Sequence, residues 1–333
     1  MMKKCFVSLF VLAVVAVAGI SCQREEIEYP VSNYYVSLSV TPNPLQKEFS
    51  MPPIYSANFY DMETGKLSYS TYLRTGFHPA RLPEGGYVTG LVPGDYKVLV
   101  YNFDLRRSSV IDRQVYERAY AEAEILSRSN DVAVTDTPDN LYVYSDQIKV
   151  PYVTAKDDIF IIDAAMKDIV ECWTVRVEGV KNANLAEKIT FYMSGQSAGK
   201  YLSNSQMLKE RSIVTFLGHV EEAVFHVEDN VQAVDSVGTK AATDSTGFVM
   251  VGDYTSYGAL ESVDRILLTI HVVGPNGSNY FEQIDVTDQV RNPENVNHIV
   301  NTVFDVEIKE REDGGFSPTA NPWNPDHTVI ILE

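Results

Sequence analysis

Residues 195–199 read Gly-Gln-Ser-Ala-Gly, the G-x-S-x-G spacing that lets a serine sit on a sharp turn and attack an acyl group. Such chemistry at Ser197 needs a strand before the serine and a helix after it. It also needs a histidine, steadied by a carboxylate, to take the proton. A strand-like run, Ile189 to Met193, does precede the pentapeptide. The following Lys200-Tyr201-Leu202-Ser203-Asn204 carries no apolar helical stripe, and alternating strand–helix units are absent. Asp264 or Asp285 with His298 are candidate partners by chain order alone. The pentapeptide therefore reads as a turn in which Gly195 and Gly199 supply flexibility. A serine hydrolase using Ser197 is the remote reading, and no catalytic residue is assigned.

Metal chemistry finds no better footing. The histidines are His78, His219, His226, His271, His298 and His327, and none has the spacing of a zinc pair. The adjacent acids Asp157-Asp158 and Glu221-Glu222 read as solvated turn residues, and no twelve-residue calcium loop is present. No metal and no cofactor is expected.

The three cysteines sort by position. The chain opens MMKKCFVSLFVLAVVAVAGISC: two lysines, an apolar run, then small residues. This is the layout of a secretory signal peptide, and the run is short of the roughly 20 apolar residues that span a bilayer. Gly19-Ile20-Ser21-Cys22 resembles a lipobox, in which Cys22 is lipidated and becomes the mature N-terminus; Gly19 stands where the pattern usually has Leu. Several acyl chains on Cys22 would anchor the protein stably, whereas one binds only marginally. Cys5 leaves with the signal peptide, so Cys172 is left without an intrachain disulfide partner.

The acidic stretch Gln23-Arg24-Glu25-Glu26-Ile27-Glu28 reads both as a solvated tether and as a sequence resembling the export signal of surface lipoproteins in some Gram-negative anaerobes. Net charge is −18 over the whole chain. Removal of residues 1–22 leaves 25 basic against 45 acidic residues, a net −20. That balance repels phosphate backbones, so nucleic acid is excluded as a partner.

What must position any site is a set of strands. Apolar residues recur with period two in many short segments. Tyr34, Val36, Leu38 and Val40 share a face; so do Tyr96, Val98 and Val100, and Trp173, Val175 and Val177. The same holds for Ile189, Phe191 and Met193; for Ile266, Leu268, Ile270 and Val272; and for Phe304, Val306 and Ile308. Pro275-Asn276-Gly277-Ser278 predicts a hairpin, with Asn-Gly supplying positive φ. One segment, 112–127, predicts a helix capped by Asp112 with Val115, Ala119, Glu122 and Leu126 at three-and-four spacing. A second short helix is predicted near Gln206 to Glu210. Residues 229–247, poor in large apolar groups, predict a long mobile loop. Within it, Asp235-Ser236-Val237 and Asp244-Ser245-Thr246 resemble an O-glycosylation acceptor pattern, making Ser236 and Ser245 candidate modification sites.

Two longer stretches carry a family resemblance. LVPGDYKVLVYN at 91–102 looks like the strand-turn-strand of transthyretin-like domains. VRVEGVKNANLAEKITFYMSGQSAGKYL at 175–202 resembles the opening of the C-terminal domain in fimbrillin-like lipoproteins, the subunits of type V pili. With the lipobox-like start, the chain resembles the anchor or accessory branch of that family, or a relative of it.

The resemblance implies a mainly β chain: two tandem transthyretin-like β-sandwich domains with one short helical insertion. The expected segments are a signal peptide (1–21), a lipidated acidic tether (22–30), an N-terminal domain (31–165), a C-terminal domain (166–310) and a tail (311–333). It also implies a non-enzymatic subunit, held outward on the outer membrane, that meets fimbrial subunits or host surface ligands through β-strand addition. The tail stretch Thr328, Val329, Ile330, Ile331 and Leu332 fits either a donor strand for a neighbour or a closing strand for its own domain. An alternative is a surface glycan-binding lipoprotein, since 20 tyrosines and two tryptophans could provide stacking platforms.

Overall fold

The computed structural model describes residues 34–76, 81–129, 132–153, 158–226 and 244–309. The predicted signal peptide, Cys22 and its tether, Ser236, and the tail with Thr328–Leu332 lie outside them. Nineteen strands and one five-residue helix, α1 (Thr287–Arg291), make up the described regular structure apart from short 3-10 turns. No described helix is long and apolar enough to cross a membrane.

A first, seven-stranded sheet uses β1 (Tyr34–Thr41), β2 (Ile54–Asp61), β3 (Leu67–Arg74), β4 (Gly85–Tyr87) and β5 (Gly94–Asn102). The chain then leaves this sheet through β6 (Ser108–Ile111), β7 (Tyr120–Ala123), β8 (Ile125–Ser129) and β9 (Val132–Asp136). It returns with β10 (Tyr142–Val150) and β11 (Phe160–Asp168), giving the order β3-β2-β5-β10-β11-β1-β4.

The second sheet uses β12 (Glu171–Lys181), β13 (Lys188–Ser197), β15 (Arg211–His226), β16 (Asp244–Ser256), β17 (Leu267–Val273), β18 (Asn279–Asp285) and β19 (Ile299–Glu307). Its order is β18-β17-β13-β15-β16-β12-β19. The short β14 (Gly199–Tyr201) joins β7 and β6 in a separate three-stranded sheet.

Both bodies follow one plan. The first strand of each runs parallel to its last: β1 to β11, and β12 to β19. In the first, the two edge strands β3 and β4 face each other: Gly86 meets the Leu73 side chain, and the Tyr69 hydroxyl donates to the Thr89 carbonyl at 2.5 Å. Each sheet is thereby almost closed on itself, which limits the unpaired backbone that an edge exposes.

The period-two faces read from the sequence are the core faces. Tyr34, Val36, Leu38, Val98 and Val100 fill the first body, with Tyr96 and Val40 against them. Trp173, Val175, Val177, Ile189, Phe191, Met193, Ile266, Leu268, Ile270, Val272, Phe304 and Ile308 fill the second, with Val306 beside them. The hairpin also forms, but through a longer connection: Pro275–Gly277 makes a 3-10 turn, with Gly277 at φ +72° and the Gly274 N–H donating to Ser278 O at 2.8 Å.

Neither predicted helix forms. The 112–127 segment is β6's exit, a three-residue 3-10 turn at Tyr116–Arg118, β7 and the start of β8. Ala119, Ala121 and Ala123 are buried, alternating with Tyr120 and Glu122. The alanine side chains face a core, and the neighbouring β14 approaches closely at Gly199, where a Cβ would lie 2.2 Å from the Ala121 carbonyl oxygen. Tertiary packing overrides the propensity. Near Gln206–Glu210 the backbone is extended around a turn. Tyr201 N donates to Gln206 O, Leu208 N donates to Gly199 O, and Met207 bridges to Lys200. Ser205 at φ +57° marks the reversal.

The end of the predicted loop is strand. Asp244–Gly247 belong to β16, with Ser245 opposite Phe225; residues 229–243 lie outside the described set. Ser245 therefore sits in a strand ladder and not on a loop.

In the second core, Phe191 occupies space cleared by two glycines. A Cβ on Gly252 would lie 2.6 Å from Phe191 Cδ2, and one on Gly218 2.5 Å from Cε2. Both rings nearby, Phe191 and Phe216, are buried and cannot swing away. Gly252→Ala is expected to destabilise the chain by about 1–3 kcal/mol in urea unfolding. Phe191→Leu added to it should cost less than it does in the wild-type background. A neutral Gly252→Ala, or full additivity of the two changes, contradicts this packing.

Candidate functional site

Ser197 is not a nucleophile in this fold. It ends β13, is 2% exposed, and is followed by β14 where a hydrolase elbow has its helix. Its Oγ lies 2.7 Å from Gly199 O and 2.8 Å from Leu208 O, so its hydroxyl proton is held between backbone carbonyls. Gly195, at φ +72°, falls where the β13–β15 register slips between Met193 and Gln196. It serves a bulge. Gly199 is extended and is needed for close approach to β7, so the turn expected around it is a strand. A hollow of about 350 Å³ lies beside Ser194 and Gly195, but Ser197 does not line it.

The proposed partners are engaged elsewhere. Asp285 accepts from Thr287 N at 3.0 Å and Thr287 Oγ1 at 2.5 Å, starting α1. Those bonds hold its carboxyl below the usual carboxylate range. His298 stacks on Trp173 with ring centroids 4.4 Å apart, and its Nδ1 lies 3.2 Å from Cys172 O. His219 pairs with Glu221 and His271 stacks on Phe281. Among the described residues no three His, Cys, Asp or Glu side chains converge as a metal site. Burial pushes the Cys172 thiol up to about 11, so it stays protonated well above neutral pH.

Unusual chemistry concentrates instead where the two bodies meet. Sequence reading did not find this junction because its residues come from distant segments. The sheets follow one another across Ile169-Val170, both buried, with no linker. Around this crossing Tyr60, Leu99, Tyr101, Leu141, Leu202 and Tyr257 form a third core with the alanines of β7. Asp168, at the end of β11, accepts through Oδ1 from Val170 N at 3.1 Å and Leu141 N at 3.3 Å. Its Oδ2 is buried without a hydrogen-bond partner. Burial pushes its carboxyl up to about 6, against the pull of the backbone donors and of Lys200. Lys200 reaches in from β14 and donates to Ile169 O at 2.9 Å; burial lowers its pKa, opposed by Glu171 and Asp168.

Two hollows open at the surface of this junction, about 400 and 600 Å³, and share Gln46, Asp139 and Asn140. Phe49 and Tyr142 line the first, their rings edge to face at 5.8 Å. Trp173, Tyr254, Lys47 and Arg107 line the second.

No model of a known protein family matches the chain, and no curated protein matches it. Solved structures do. A candidate adhesin from Bacteroides ovatus superposes with a TM-score of 0.54 at 15% identity, covering 87% of this chain and 98% of that one. A second Bacteroides ovatus candidate adhesin gives 0.47 at 10% identity, covering 85% and 90%. The fimbrial anchor protein Mfa2 from Porphyromonas gingivalis gives 0.42 at 12% identity, covering 80% and 87%. The first of these shares the fold over nearly its whole length, so the paired β architecture implied by the family resemblance is the one observed.

The buried Asp168 makes a pH-dependent prediction. Its folded-state pKa lies above the unfolded value of 3.8, so its contribution falls as pH rises from about 4 to about 6 and stays unfavourable above that. Asp168→Asn keeps the acceptor for the two N–H groups and removes the buried charge. Thermal unfolding should find it more stable than wild type at pH 8, by on the order of 2 kcal/mol. The difference should vanish below pH 4. A variant less stable at pH 8 would mean that the Lys200 attraction dominates.

Proposed function

We propose that the chain is a surface-exposed outer-membrane lipoprotein of the fimbrillin-like class, a non-enzymatic pilus anchor, accessory or adhesive subunit. The observation that carries this reading is the fold shared with a Bacteroides ovatus candidate adhesin along 98% of that protein. The lipobox-like Cys22 and the acidic tether supply the means of attachment and outward display. The burial of Ser197 between carbonyls removes the one enzymatic reading the sequence offered.

In this account the two β bodies are bearing units, and assembly proceeds by β-addition through the tail 311–333. Such a joint draws affinity from main-chain hydrogen bonds and specificity from alternate side chains entering a groove. Thr328 to Leu332 supply that alternation. Partners are fimbrial subunits or host surface ligands, and modification at Ser236 is compatible with surface display.

The test displays the protein on cells with and without residues 317–333 and measures which fimbrial subunits co-purify. The full chain should carry acyl mass on Cys22, fractionate with the outer membrane and bring fimbrial subunits with it. Cys22→Ser should release it from the membrane, and loss of the tail should abolish co-purification while membrane retention persists. An unlipidated wild-type protein free in the medium, or a full chain that captures no fimbrial subunit, contradicts the reading.

A further inference from the structure

The exposed apolar side chains of the first body are not spread evenly. Strands β1, β5 and β11 begin at one end of it, and β4 and β10 finish there. Hydrogen bonds draw these strand ends together. Val88 N donates to Tyr34 O at 2.9 Å, and the Tyr34 hydroxyl donates to Pro151 O at 2.9 Å. Five of the thirteen large apolar side chains exposed among the described residues stand here: Tyr87, Val92, Tyr152, Ile159 and Ile161.

The register explains their grouping. Gly94 opposite Val150 closes the β5–β10 ladder, and Val92 and Tyr152 lie two residues beyond it on either strand. Val92 is 66% exposed and Tyr152 77%. Ile159 immediately precedes β11, whose first residue, Phe160, is opposite Tyr34. One row further in, Tyr35 lies between Tyr87 of β4 and Ile161 of β11. Tyr35 is fully buried, its ring edge to face with Tyr87 at 5.2 Å, while Tyr87 and Ile161 stay exposed.

Exposed apolar groups gathered in one place mark an interaction surface. What this one meets is set by the chain that enters beside it. Eleven residues, 23–33, separate Cys22 from Tyr34 at the start of β1. Fully extended, they reach at most roughly 40 Å. An anchor at Cys22 therefore holds this end nearer to the bilayer than any other part of the body. The opposite end, where the rings of Tyr72 and Phe103 meet at 4.8 Å, lies a strand length of about 30 Å further off.

Charge narrows the kind of surface. Asp61, Glu63, Asp95 and Asp158 stand at the same end, against Lys66 and Lys149. Lys149 faces Asp95 across the ladder, so the other three acids outnumber the one lysine left. An anionic leaflet is repelled unless divalent cations neutralise it, and a zwitterionic leaflet is not. Tyrosines, with an apolar body and a polar tip, suit the boundary between headgroups and hydrocarbon.

We propose that this end of the first body rests on the lipid surface, with Val92, Tyr152 and Ile159 entering the headgroup layer and Tyr87 and Ile161 behind them. The acyl chains hold the protein at the membrane, and these side chains set how it stands there. This contact rests on the lipid attachment proposed above and is independent of any pilus partner.

Hydroxyl-radical footprinting with mass spectrometry tests it, on the acylated full chain in phosphatidylcholine vesicles and on the Cys22→Ser chain free in buffer. Oxidation of Tyr152 and Tyr87 should fall about threefold on the vesicles, while Tyr72 and Leu217, exposed away from this end, should not change. Phosphatidylglycerol vesicles should protect less, and magnesium should restore the protection. Val92→Ser combined with Tyr152→Ser and Ile159→Ser, all at exposed positions, should keep acylation, membrane retention and melting temperature yet lose the protection of Tyr87. The Cys22→Ser chain held by an N-terminal histidine tag on nickel-chelating lipid separates the two readings. Protection there, with a wild-type chain that carries no acyl mass, sinks the lipid anchor and leaves the contact standing. An acylated chain whose Tyr152 and Tyr87 stay as reactive as in buffer sinks the contact alone. Equal protection of Tyr72, protection confined to phosphatidylglycerol, or protection of Tyr87 that survives the triple substitution also overturns the proposal. Protection on cells that is absent on vesicles assigns this end to a protein partner and overturns it too.

Discussion

Main-chain pairing across the middle of the molecule is the constraint on which the rest depends. Strands β8 and β9 come from the first half of the chain, yet β9 runs parallel to β15, with Ala133 opposite Ser212 and Asp136 opposite Thr215. Strand β14 comes from the second half, yet it pairs with β7. The two bodies are thus stitched by backbone hydrogen bonds in both directions, and the alanines of β7 complete a third core between them. Boundaries between independently moving domains have few contacts and exposed linkers. Here the crossing residues Ile169 and Val170 are buried instead.

This arrangement has consequences for what the protein can do. A stitched junction fixes the walls of the surface hollows beside it. It also ties the two sheets into one unit through pairs contributed from both halves of the chain. The near closure of both sheets leaves little free edge for accidental pairing. The cost of the junction is the buried Asp168, whose unpaired oxygen and raised pKa mark the place where polar groups of both halves had to be enclosed.

Much of the architecture was legible in the sequence, for a physical reason. Strands with one buried face write their orientation as alternation, and the runs at Trp173–Val177 and Ile266–Val272 are core in the structure as read. The failures share a cause as well. Residues 112–127 hold alanines, arginines and glutamates, which favour helix locally, but Ala119, Ala121 and Ala123 also alternate. Their strand partner, Gly199–Tyr201, lies far away in the chain, where no local window reaches it. The first hollow was invisible for the same reason, since Phe49, Asn102 and Asn140 meet only after three segments fold together. The serine pentapeptide was rightly set aside as an elbow, but the turn read around Gly199 is a strand, because its pairing with β7 lies outside any local window.

The claim that the halves are one body is tested most directly by native-state hydrogen exchange across a denaturant series. Amides of β5 in the first sheet and β13 in the second should lose protection at the same denaturant concentration, in a single global opening, with those of β9 among the slow exchangers. If the first sheet opens at markedly lower denaturant while the second stays protected, or if β9 exchanges freely while both sheets hold, the stitched junction does not exist as described.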